Sequence, residues 1–170
     1  VGAVASTGHR SHYSNYGSGL RLCAPSDNSH LYGFPDVVPE SLSIRSSPST
    51  SVFRIAPGGT STAAAIVAGV AGLVISANPE LTSQEVVSIL QQTATKDLVT
   101  TPYDEPRDDF RPIDQDGTFK DIDHPDGTWS PWFGFGAVNA RAAVAKALEL
   151  AQTASTPENA MVYEEDAVPV

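Results

Sequence analysis

The chain has 170 residues, 41% of them hydrophobic, with 13 glycines, 13 prolines and a net charge of −10. That length can bury the core of one domain, and the composition is neither collagen-like nor disordered. No basic stripe runs through it, so the electrostatic footprint of nucleic-acid binding is missing and DNA and RNA are poor candidate partners.

The opening VGAVAS reads as a short strand of small residues. It carries no initiator Met, basic run or long apolar core, and the chain is expected to begin inside a domain. HRSHYSNYGSG follows as a polar, Gly-containing loop, and LRLCA as a second strand stopped by Pro25. Cys23, the single cysteine, excludes an internal disulfide and alternates with apolar neighbours as a small core residue does. Residues 26–41 combine Asp, Asn, Gly and two prolines, the composition of a long surface loop. SLSIRSS and SVFRIA then flank PST and alternate in polarity, which suggests a hairpin.

From Thr62 to Ala77 only Thr62 and Ser76 are polar, while Gly69 and Gly72 allow close backbone approach. Such a helix, about 24 Å long, is expected to be buried on all sides and to end at Asn78-Pro79. Its apolar run, Ala63 to Ile75, is shorter than the roughly 20 residues that span a bilayer, so no membrane span is expected. LTSQEVVSILQQTA has Thr82 and Glu85 in capping-box spacing and Val86, Ile89 and Leu90 on one stripe, the pattern of an amphipathic surface helix. Residues 97–131 are rich in Asp and Pro with little periodicity; FGFGAVNARAAVAKALELAQ then predicts a Gly-rich turn and a third helix capped near Asn139. The tail from Thr156 is acidic and expected to be mobile. Charge is concentrated: residues 104–126 hold nine acids against Arg107, Arg111 and Lys120, and residues 156–170 hold four acids and no base.

Ser61 raises the functional question. A serine at a helix start is most often an N-cap. Here Gly58 and Gly59 permit a tight turn that presents the hydroxyl, and the backbone N–H of Ser61, at the positive end of a long helix, is suited to stabilising an oxyanion. That combination fits acyl transfer.

Gly59-Thr60-Ser61, followed by Ala63 and then Val67-Ala68-Gly69, resembles the nucleophile motif of the subtilisin-like serine peptidases. VGAV, YSNYG and LCAPS resemble the strand, loop and strand that lead to it; ANPELTSQEV and GFGAVNARAAV resemble the helix that follows and the closing Gly-x-Gly turn. The resemblance implies an α/β fold, a subtilisin-like mostly parallel sheet with helices on both faces, of which only the C-terminal half is present. It places that part at 1–152, with an acidic insert at about 101–131, and an acidic tail at 153–170.

By the same resemblance Ser61 is the nucleophile, and Gly59 and Thr60 line the substrate cleft. The mechanism also needs a general base, an orienting aspartate and further oxyanion donors, and in this family the Asp, His and Asn precede the strand at which this chain begins. The expected function is therefore serine endopeptidase activity through an acyl-enzyme on Ser61, with a peptide or protein substrate and an N-terminal portion of the same domain as partners. No cofactor is needed for the chemistry, and secretion or a periplasmic location is the family expectation. The alternative is a non-catalytic module that binds peptides or stabilises a partner. An esterase using one of its own histidines is a third reading, but His9, His12, His30 and His124 all fall in expected loops.

Three departures from the family pattern stand out. Ala65 and Ile66 replace the usual Pro and His after the nucleophile, APS at 24–26 replaces Ala-Pro-Gly, and the stretch from Pro25 to Gly59 is long. Separately, Asp114, Asp116, Asp121, Asp123 and Asp126 crowd near turn glycines, chemistry that suits a structural Ca²⁺ held by the first four, although the spacing is not that of an EF-hand; a solvated loop is the competing reading. Trp129, Trp132, Phe133 and Phe135 are expected to be core.

Overall fold

A computed structural model describes residues 1–5, 7–26, 58–101 and 116–154. The expected hairpin, His30 and the acidic tail lie outside these residues. Two strands, β1 (Gly2–Val4) and β2 (Cys23–Pro25), pair in parallel with Gly2 opposite Cys23 and Val4 opposite Pro25. Three helices follow: α1 (Gly59–Ala77), α2 (Ser83–Gln92) and α3 (Ala140–Ala154). α1 packs on the strand pair, and α2 and α3 pack on α1. The architecture is α/β, as expected.

The closing Gly-x-Gly segment completes the strand layer. Gly136 accepts from the Cys23 N–H at 2.9 Å, Val138 donates to the Cys23 carbonyl at 2.9 Å, and Ala137 exchanges two backbone hydrogen bonds with Thr95. Ala137 thus bridges Cys23 on one side and Thr95 on the other. Gly134 and Gly136 both have positive φ, and a Cβ on either would run into the backbone carbonyl of Arg21 or Thr95. Only glycine lets this segment lie so close to its neighbours.

The largest core cluster joins Val70 and Val74 of α1, Val86, Ile89 and Leu90 of α2 and Ala143 and Ala147 of α3 around Leu22 and Phe135. Val86, Ile89 and Leu90 are the stripe expected from the sequence. A second cluster contains Cys23, Trp132, Phe133 and Ala137, and a third Ala3, Ala24 and Ala63. Burial pushes the Cys23 thiol far above its ordinary pKa, as fits a core residue. The capping box at α2 is complete: Thr82 N–H donates to Glu85 Oε2 at 2.7 Å and Glu85 N–H to Thr82 Oγ1 at 3.3 Å. Asn139 Oδ1 accepts from Ala142 N–H at 3.0 Å, capping α3.

The expectation that α1 is buried on all sides is corrected. Only Ala63, Val70 and Val74 are buried, whereas Leu73 is 54% and Ile75 47% exposed. An all-apolar helix carries a composition suited to partners all round, but the described residues supply partners for one face. α1 also starts at Gly59 rather than Thr62, which makes it about 28 Å long. At 19 residues it is long and apolar enough, by length and composition alone, to cross a membrane, a test that core helices also pass.

Candidate active site

The start of α1 meets the loop after β1 and the end of β2. Gly58 caps the helix with no side-chain hydrogen bond, and Thr62 Oγ1 donates to the Gly58 carbonyl at 3.0 Å. Gly59 follows at φ +86°, a left-handed conformation in which a side chain would be strained. Two residues on, Ser61 is exposed in the first helical turn, and its hydroxyl makes no hydrogen bond to a described residue. The hydroxyl is not the N-cap. Gly59 and Thr60, beside it, are half-buried.

The electrostatics of this end of α1 are simple. The first N–H groups of a helix lack intrahelical acceptors and carry the positive end of its dipole, and the first turn contains no acidic residue to offset it. Developing negative charge near Ser61 would meet that field directly.

The loop before β2 supports the turn. Arg10, buried although charged, donates to the carbonyls of Ser11 at 3.1 Å and Ser14, and its guanidinium lies over the rings of Tyr16 and Trp132 at 5.6 and 5.9 Å. This fixes the path of residues 10–16 and brings Tyr13 to the helix start. Gly59 N–H donates to Tyr13 Oη at 3.0 Å, Tyr13 Oη–H donates to Ser26 Oγ at 3.0 Å, and Ser26 Oγ–H donates to the Gly59 carbonyl at 2.9 Å. Tyr13 opens the YSNYG motif, but neither it nor Arg10 carries a sequence signal that assigns it to the helix start. Ser26 was visible as a departure from Ala-Pro-Gly, but nothing in the sequence joined it to Tyr13.

No histidine among the described residues hydrogen-bonds Ser61. His9 Nδ1 meets Thr7 Oγ1 at 3.1 Å, and the His124 ring lies tilted against Phe135 with centroids 4.8 Å apart.

The acidic segment is only partly described, and Asp114 falls outside it. Asp116 Oδ1 accepts from Thr118 N–H at 2.6 Å, with Lys120 Nζ 3.2 Å from its other oxygen; Asp121 Oδ1 accepts from Asp123 N–H at 2.9 Å. The hydroxyl and N–H of Thr118, with Lys120, hold the Asp116 carboxyl down at about 2. Among the described residues no three carboxylate, His or Cys groups converge. Asp126, by contrast, is buried and accepts from the Ser88 hydroxyl and, at 3.0 Å, from Gln92 Nε2. It ties the segment to α2.

Of the aromatic residues at 129–135, Trp132, Phe133 and Phe135 are buried in the core, as expected, whereas Trp129 is half-buried against it, its Nε1 donating to the Leu20 carbonyl at 2.8 Å.

The model of the subtilase family matches residues 1–136. The chain belongs to the subtilase family. A solved structure described as a protease from Pseudoalteromonas arctica PAMC 21717 is 32% identical, with a TM-score of 0.51; the match covers 86% of this chain and 34% of that one. This subtilase chain therefore spans about a third of the length of the solved relative. A search among curated proteins returned no match. The family match takes in β1, β2, α1 and α2 and ends at Gly136, within the closing turn.

Proposed function

We propose that this chain is the nucleophile-bearing part of a serine endopeptidase. Ser61 attacks the peptide carbonyl and becomes acylated, the leaving amine departs, and water then hydrolyses the ester. The observation that carries the reading is the state of the Ser61 hydroxyl: exposed in the first turn of α1, two residues after a left-handed glycine, and not used as a cap. Gly59 and Thr60 line the substrate cleft, and the Ser61 N–H contributes to oxyanion binding.

The general base, its aspartate and the oxyanion Asn come from an N-terminal portion of the same domain. That portion covers the apolar face of α1, where Leu73 and Ile75 are exposed, and α1 is then an interior helix rather than a membrane span. Without it the chain self-associates through this face. The protein acts outside the cytoplasm, in a secreted or periplasmic setting, and needs no cofactor for the chemistry.

The test is labelling by a fluorophosphonate serine probe, on the chain alone and with the N-terminal portion supplied, with Ser61→Ala as control. Ser61-dependent labelling only with the N-terminal portion is expected. No labelling in a folded complete domain would replace this reading with a non-catalytic binding module, for which the Ala65 and Ile66 departures would then account.

A further inference from the structure

We propose that Tyr13 and Ser26 are positioning residues that lock the turn presenting Ser61. The inference deepens the assignment of Ser61 as nucleophile and rests on it for its kinetic consequence. The three hydrogen bonds among Gly59, Tyr13 and Ser26 form a closed, directional ring: Gly59 N–H to Tyr13 Oη, Tyr13 Oη–H to Ser26 Oγ, and Ser26 Oγ–H back to the Gly59 carbonyl. Each hydroxyl both donates and accepts, and both backbone polar groups of the left-handed glycine are held by side chains.

The ring has anchors on two elements. Ser26 is buried at the end of β2, where its N–H donates to the Val4 carbonyl at 2.8 Å. Tyr13 packs against the Ala3, Ala24 and Ala63 cluster, while its hydroxyl accepts from the Gly59 N–H two residues before Ser61. A glycine is free to leave the left-handed region, and a helix start with no side-chain cap needs other contacts to define its path; the Thr62 hydroxyl holds the Gly58 carbonyl, one residue before Gly59. The ring supplies that definition, and because hydrogen bonds in a chain polarise one another, removing either hydroxyl weakens the whole.

The experiment compares wild type, Tyr13→Phe, Ser26→Ala and the double variant in the complete domain, reading kcat, KM and the fluorophosphonate labelling rate, with Ser61→Ala as control. Loss of one such bond corresponds to about a tenfold change. We expect each single variant to lower kcat and the labelling rate about tenfold with KM little changed, and the double variant to be no worse than the poorer single one. Wild-type rates in both single variants, or losses that simply multiply in the double variant, would overturn the ring. Amide exchange at Gly59, followed by NMR, is read on the same proteins and needs no activity. About tenfold faster exchange in Tyr13→Phe with unchanged circular dichroism supports the ring even if Ser61 proves not to be the nucleophile, and unchanged exchange refutes it.

Discussion

Gly69 and Gly72 lie in the middle of α1, and a Cβ built on either meets nothing within 4 Å. Replacing both with Ala should therefore have opposite effects in two settings. In this chain alone, at dilutions where it is monomeric, only helix propensity operates, and Ala in place of Gly stabilises a helix interior by roughly 0.5–1 kcal/mol per site. The pair should add about 1–2 kcal/mol. Urea unfolding followed by the fluorescence of Trp129 and Trp132 should then show a higher midpoint with an unchanged slope. When the N-terminal portion packs on the exposed face, the same two methyl groups enter a close contact, where overpacking costs about 1–3 kcal/mol per site. The double variant should thus be more stable alone but bind the N-terminal portion at least tenfold more weakly, as titration calorimetry would read. Stabilisation together with undiminished binding would refute the claim that this face is an interface. Destabilisation of the chain alone would mean that the face is already packed.

Three further predictions test the local readings. Gly134→Ala should prevent native folding, because its Cβ collides with the Arg21 backbone rather than with a side chain that can move; a native-like fluorescence spectrum and unfolding midpoint would contradict this. Thr82→Ala should lower unfolding free energy by about 0.5–2 kcal/mol through loss of the α2 capping box. It should also raise the Glu85 carboxyl pKa, which the Thr82 N–H and hydroxyl hold low; a carbon-13 NMR titration in which Glu85 does not move would count against the box. Asp116 should titrate near 2 rather than at its ordinary 3.8. Its contribution to stability is therefore present above about pH 4 and lost as the pH falls through about 2, the direction expected when the folded state favours the carboxylate. Thr118→Val should move the midpoint upward, and an Asp116 midpoint already in the ordinary carboxylate range would refute the assignment.

Much was legible in local sequence because its physics is local. The capping box of Thr82 and Glu85, the Asn139 cap and the Val86, Ile89 and Leu90 stripe depend on spacings of three or four residues, which a helix converts directly into contact. The Gly-x-Gly turn was visible as a motif, although the carbonyls of Arg21 and Thr95 that demand glycine there lie far away in sequence. Composition marked α1 as an interior helix, yet which face is covered by this chain is a property of packing: Val70 and Val74 meet α2 and α3, while Leu73 and Ile75 do not. The Tyr13, Ser26 and Gly59 ring joins positions 13 and 46 residues apart, and hydrogen-bond partners at such separations follow no sequence period. The amino-acid order thus determined the elements, their caps and the motif around Ser61. Only tertiary structure decided what holds the Ser61 turn and which apolar surface is left exposed, because both depend on which distant segments the fold brings within hydrogen-bonding or van der Waals reach.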